Sequence, residues 1–525
     1  MRLAAAALLL PLAAAFFFFP KPQPPRPPAP APEADFIRAG APAALPAPLA
    51  AAAARLETPR IAAHIRFLAD PAREGRGLDT QGLEASAQYI AEQLQAAGVP
   101  ALGPSYFQTV PLRRALPGKG RIVLHTQAGT FGFDGGQSAV LPRVEPGDIA
   151  APLVFAGYGI REASPARDDL KDLDVRGKIV VFLDGVPPGT DWQKPELLEK
   201  YAGPRAADRY DARLELLQEL GARAAIALEA GLDQSLAAGK EPPEPYFLPA
   251  AGAPAHDALP LARVTLTPEL RALSRSGLRG RAELAVRAEV RAVSSVNVIA
   301  RLPGSGKGAQ AVMLGAHMDH LGRPAGMLHP GADDNASGVA ALLEIARAVA
   351  ASPERPARSL IFAFWTGEEE GKFGSGHYVR QPRWPLDATA AYLNIDMIGH
   401  PWTAKELKDL AEGAGLKDPK AFLNKLDPAF FAEPGVSAGR LYLGQALAKA
   451  GLGSGMSLHL DWTSGVSGGS DYRDFARRGV PFIRFFGSYF PKYHSPEDTA
   501  DRLDSGQVRR MAGLILNSAW LLADR

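Results

Sequence analysis

The chain has 525 residues, 46% of them apolar, which is enough for more than one hydrophobic core. Its 58 basic and 56 acidic residues leave a formal charge of +2, and no basic tract stands out, so the electrostatic footprint of a nucleic-acid binder is missing. The absence of cysteine excludes disulfides, thiolate zinc sites, a cysteine nucleophile and a lipid-modified cysteine, so any metal must be held by His, Asp and Glu.

The chain opens with Arg2 ahead of an apolar run, residues 3–19, and a Pro/Ala-rich tract follows. This is the pattern of a secretory signal, with the alanines at 13–15 as a cleavage site. The alternative is an uncleaved anchor, for which the run is short and interrupted by Pro11. Residues 1–19 are therefore expected to be a signal peptide or anchor that exports the chain to a periplasmic or extracellular location, with membrane contact only if uncleaved. Residues 20–55 are expected to be a disordered linker.

Residues 56–139 form the first part of the main domain. "RIAAHIRFLAD" and "GLEASAQYIAEQLQAAGV" carry helical apolar spacing, Gly98 supplies a stop, "AREGRGLDTQG" is a Gly-rich loop, and "RIVLHT" reads as a strand. Between 140 and 290 short β-rich runs such as "APLVFAGYGI" and "GKIVVFLDG" indicate an inserted module. From 291 to 525 the strand-like runs "SVNVIARL", "AVMLGAH", "SLIFAFW", "AAYLNID" and "VPFIRFF" alternate with helical segments. This alternation predicts an α/β fold whose sheet is covered by helices on both faces.

Polar residues cluster just beyond these runs. "AVMLGAH" ends in His317 with Asp319 two residues on; "SLIFAFW" runs into "TGEEEG"; "AAYLNID" ends in Asp396; "VPFIRFF" is followed by Tyr493 and His494; and "GADDNASG" precedes a helix. Ligands of open α/β sheets bind beyond the carboxyl ends of the strands. Each motif alone has a plainer explanation: Asp334 or Asn335 can cap the helix, "GEEE" can be a solvated turn, and a lone His is commonly structural. Asp396 is harder to explain that way, because a carboxylate after so apolar a strand needs a partner. Carboxylates sharing one crevice repel unless cations join them. Imidazole and carboxylate without sulfur suit zinc first, with cobalt or manganese as substitutes, and the number of acids fits two ions with a bridging aspartate from the Asp333–Asp334 pair.

"GAHMDHLG", "GADDNASG", "GEEEGKFGS", "NIDMIG" and "YHSPEDT", in that order, resemble the co-catalytic di-zinc aminopeptidases, whose fold is shared by glutamate carboxypeptidase II and the transferrin receptor. The resemblance runs from about residue 56 to the end and makes 56–139 and 291–525 the catalytic domain. The 140–290 module is similar to a protease-associated domain. Carried across, the resemblance implies two zinc ions, with His317 and Asp396 on one, Glu369 and His494 on the other, and Asp333 bridging through a turn with a cis bond to Asp334. It implies Glu368 as general base for a water between the ions, Tyr493 as an oxyanion donor, and Asp319 accepting a hydrogen bond from His317. The implied substrate is a peptide cleaved at its N-terminus. A carboxypeptidase or dipeptidase of the same fold, a glutaminyl cyclase and a non-catalytic binder of the transferrin receptor type are the rivals. Glu370, Lys372 and Tyr472 depart from the family pattern, and His320, His329, His377, His400 and His459 are expected to be structural or exposed. Oligomeric state is not legible.

Overall fold

A computed structural model describes residues 36–38, 43–118, 120–141, 145–203, 206–239, 245–252, 259–413, 423–424, 426–466, 469–488, 490 and 492–525. The apolar leader at 1–19 lies outside them, and no described helix is long and apolar enough to cross a membrane.

The expected α/β architecture is present as a nine-stranded mixed sheet. Its centre is four adjacent parallel strands, in the order Arg358–Trp365, Lys307–His317, Thr389–Ile395 and Phe482–Phe485. Their apolar character on both faces follows from burial on both sides, as "SLIFAFW" shows: every residue from Ser359 to Trp365 is buried. On one face pack the helices Thr58–Leu68, Gly338–Ala350 and Ser505–Asp524, joined in one core with Ile61, Leu343 and Trp520. The other face is covered by Phe373–Arg380 and Tyr472–Arg477, where Trp365, Tyr378, Tyr392 and Phe475 form an aromatic core. Because the four central strands are parallel, their carboxyl ends open on one edge, which is where His317, Thr366–Glu369 and Asp396 emerge.

The insert builds a second, eight-stranded sheet with its own core around Ile179, Ile226 and Leu284. This sheet already includes Arg121–Thr126 and Gly129–Phe133, so it begins ahead of residue 140. Conversely, Tyr246–Pro249 leaves the insert to pair antiparallel with Phe107–Pro117 at the edge of the main sheet. The β-rich texture marked the insert, but pairing partners are set by tertiary contacts that local pattern does not encode.

The expected linker is partly built into the fold. Ala47–Ala53 is a helix that buries Leu49 and Ala52, and Phe36–Ile37 pairs with Leu458–His459. Pro48, at the second helical position, is tolerated in a first turn whose amides have no partner within the helix, which a Pro/Ala composition conceals.

Candidate metal centre

His317 is the last residue of its strand and is 1% exposed. Its Nδ1 lies 3.2 Å from the main-chain oxygen of Asp319, which directs Nε2 at the acids. Nε2 is 3.2 Å from Asp396 Oδ1 and 3.2 Å from Asp334 Oδ1. On the far side of Asp334, its Oδ2 is 3.2 Å from His494 Nε2, which is 3.1 Å from Glu369 Oε2. Asp334 thus stands between two groups, His317 with Asp396 and His494 with Glu369. His320 joins the second group, with Nδ1 2.6 Å from Glu369 Oε1 and 3.6 Å from Asp334 Oδ2.

Asp333 does not face this cluster. Its Oδ1 accepts the Gly399 amide at 2.7 Å, and its Oδ2 is 3.7 Å from His400. Burial, reinforced by the neighbouring Asp498 carboxylate, raises the pKa of its carboxyl well above the ordinary range. The cis bond joins Asp334 to Asn335, one residue later than expected. Adjacent residues in the turn point in different directions, and Asp498 fixes which goes where by accepting both amides, of Asp333 at 2.9 Å and Asp334 at 3.1 Å. Two identical neighbours in sequence cannot be told apart until that turn is built. Asn335, one of the two expected caps, accepts the Gly338 amide at 3.2 Å and also that of Met397 at 3.2 Å.

Asp319 also acts differently from the expectation. Its carboxylate is 3.9 Å from His317 Nδ1, beyond a hydrogen bond, and accepts the amides of Glu368 at 3.2 Å and Glu369 at 3.4 Å. It therefore orients the acidic turn, while its main-chain carbonyl orients His317. Burial pushes the Asp319 carboxyl up to about 7.

Glu368 borders a cavity of about 320 Å³ together with His317, Asp334, Asp396 and Tyr493. Burial raises its carboxyl while Lys372, 3.1 Å from Oε1, opposes that rise. Lys372, an unusual residue for the family pattern, is thus a partner of the expected base. Tyr493 stacks on His494 with ring centroids 3.6 Å apart. Met397, Tyr472, Phe485 and Phe486 make the cavity's more apolar side, and Arg484 lines it while bonding Asp461 Oδ2 at 2.7 Å.

Two supports were not legible in the sequence. Arg76, in the Gly-rich loop, is fully buried and donates to the carbonyls of Leu68 and Pro330 at 2.7 Å, Met318 at 2.9 Å and Gly331 at 2.7 Å. Its fork ties together the two loops that carry His317 and Asp334. The second support is a relay. Trp365 Nε1 donates to the Tyr392 hydroxyl at 2.8 Å, which donates to Asn394 Oδ1 at 2.9 Å; Asn394 Nδ2 donates to Ser470 Oγ at 2.9 Å, and Ser470 donates to Asp396 Oδ2 at 2.6 Å. Gly315 makes room for it, since a Cβ there would sit 2.4 Å from the Tyr392 hydroxyl and 2.5 Å from Trp365 Nε1. The alternation of strand side chains placed Tyr392 and Asn394 on one face and was the available signal.

The donors form two groups that share Asp334 and could hold a metal, and their imidazole–carboxylate chemistry fits zinc. Four donors held at about 2.0–2.1 Å around one zinc lie about 3.3–3.4 Å from one another. The 3.1–3.2 Å separations of His317 from Asp396 and Asp334, and of His494 from Glu369 and Asp334, are close to that spacing.

A mixed sheet with imidazoles and carboxylates gathered at its carboxyl edge is the architecture of the co-catalytic zinc aminopeptidase family. Residues 297–519 match the model of peptidase family M28. A probable lipoprotein aminopeptidase of Mycobacterium tuberculosis is 28% identical over 368 residues, 66% of this chain and 60% of that relative. Leupeptin-inactivating enzyme 1 of Streptomyces exfoliatus is 29% identical over 234 residues, 43% of this chain and 48% of the relative. The chain thus spans about half to three-fifths of the length of these two relatives. An aminopeptidase from Aneurinibacillus sp. strain AM-1 superposes with a TM-score of 0.52 at 21% identity, over 90% of this chain and 96% of that one. A peptidase M28 precursor from Shewanella amazonensis does so with 0.50 at 15% identity, over 91% and 97%. At these identities the likeness is one of fold.

Proposed function

We propose that the chain is an exported zinc-dependent aminopeptidase that removes N-terminal residues from peptides. The observation that carries the reading is the placement of Asp334, whose two oxygens face separate imidazole–carboxylate pairs. In this reading His317 and Asp396 would hold one ion and Glu369 and His494 the other, with Asp334, not Asp333, reaching both. Cobalt or manganese would substitute. Two zinc ions, when bound, supply Lewis acidity and lower the pKa of water from 15.7 to about 7.

The chain's own residues do the rest. Glu368, at the cavity wall, takes the proton of the attacking water and delivers it to the departing amine nitrogen. Lys372 holds one Glu368 oxygen, so the other faces the reaction. Tyr493 offers a phenol to the carbonyl oxygen as it becomes negative. Arg484, a cation that a carboxypeptidase would need, is already engaged by Asp461. Met397, Tyr472 and Phe485 offer the first side chain an apolar surface.

Export rests on the apolar leader at 3–19 and agrees with the lipoprotein description of the mycobacterial relative. The insert is proposed to be a protease-associated domain that limits access to the cleft. Paired assays on aminoacyl anilides and on acyl-blocked dipeptides, before and after chelation and with zinc add-back, test the function. Anilide hydrolysis lost to chelator and restored by zinc is expected; cleavage of blocked dipeptides alone would establish the carboxypeptidase instead.

A further inference from the structure

The second half of the site contains one more imidazole than two-ion coordination requires. His320 is 2% exposed, and its Nδ1 approaches Glu369 Oε1 to 2.6 Å. That is shorter than the spacing of two donors on one zinc and falls at the short end of charge-assisted hydrogen bonds. The other oxygen, Oε2, is the one spaced for shared coordination, at 3.1 Å from His494. Across the site Asp396 is divided in the same way: Oδ1 faces His317 at 3.2 Å, and Oδ2 takes the Ser470 hydroxyl at 2.6 Å.

The ring of His320 is held in place by backbone. A Cβ at Gly331 would come within 2.5 Å of its Cγ and Cδ2, so only glycine lets the turn close on it. The Gly331 carbonyl is fixed by Arg76 Nη2 at 2.7 Å, and the His320 amide donates to the Arg76 carbonyl at 3.1 Å. Among the described residues its buried Nε2 has no hydrogen-bond partner, so Nδ1 carries the interaction.

From this geometry we infer that His320 is a positioning residue, not a ligand: it donates Nδ1–H to Glu369 Oε1 and leaves Oε2 as the single oxygen offered to the metal shared with His494. This rests on the two-ion reading above. The residue sets the affinity of one site and leaves the His317–Asp396 site untouched.

The test is zinc and cobalt titration of chelator-stripped protein, with stoichiometry from elemental analysis and cobalt absorption spectra. Wild type is compared with His320→Ala, His320→Asn, whose amide replaces Nδ1, and His320→Gln, whose amide replaces Nε2. The expected result is two ions in wild type and a 10–100-fold loss at one site in His320→Ala. Most of that affinity should return in His320→Asn, with an unchanged cobalt spectrum, and not in His320→Gln. Two ions bound by His320→Ala at wild-type affinity overturn the inference. A cobalt spectrum altered in His320→Asn makes His320 a ligand and overturns it too. Wild type binding fewer than two ions defeats the two-ion reading itself. If His320→Ala does not fold, the Asn–Gln pair decides alone.

Discussion

Ser470→Ala isolates the contribution of the polar relay to the metal centre. The substitution removes one oxygen, yet that oxygen donates to Asp396 Oδ2 at 2.6 Å and accepts from Asn394 Nδ2 at 2.9 Å. A hydrogen bond to a charged group is worth about 1.5–3 kcal/mol, and each 1.4 kcal/mol is a factor of ten in affinity. Zinc affinity at the His317–Asp396 site should therefore fall about 10–150-fold, with the other site within about threefold of wild type. Competition titration against a chromophoric chelator reads both sites. Tyr392→Phe, two bonds further back, should weaken the same site less, and the double variant should lose less than the sum, because the groups form one chain. A loss of less than threefold in Ser470→Ala, or additive losses in the double variant, would refute the claim that the relay holds Asp396.

Glu368→Gln should keep both metals and the fold while lowering turnover about 10²–10⁴-fold; comparable turnover, measured on an aminoacyl anilide with metal content checked, would remove Glu368 from the role of base. Asp334→Asn should lower metal content and abolish activity. Asp333→Asn retains an oxygen for the Gly399 amide and lies away from the His317 and His494 pairs, so it should retain both; the reverse ranking by elemental analysis would restore Asp333 as the bridge. Burial, helped by the charges of Arg60 and Arg347, lowers His64 to about 4 from 6.5. The folded state therefore binds fewer protons: stability from this group is complete above about pH 7 and declines as pH falls from 6.5 towards 4, by at most about 3 kcal/mol. Denaturation midpoints of chelated protein across that range should fall more steeply in wild type than in His64→Gln; parallel curves would contradict the assignment.

Much of this was legible in the sequence. Helices at 58–68, 81–96, 338–350 and 505–524 follow from apolar spacing, and the four central strands from short apolar runs. The site's location followed from the polar residues after each run. What was not legible is contact geometry. Asp333 and Asp334 are identical in type, and only the amides that Asp498 binds set their directions. His320 reads as any histidine until the close approach of Gly331 turns its ring towards Glu369. Arg76 sits in a loop where a charge is ordinarily exposed, and its burial depends on carbonyls from residues near 68, 318 and 330. The resemblance makes Asp319 the acceptor for His317, yet its carboxylate serves the acidic turn of a different strand.

Anomalous diffraction from a zinc-soaked crystal tests the bridged pair most directly. Two peaks about 3.5–4 Å apart are predicted, each within about 2.0–2.2 Å of a different oxygen of Asp334, one beside His317 and Asp396 and one beside His494 and Glu369. A single peak, or a pair bridged by Asp333, would contradict it.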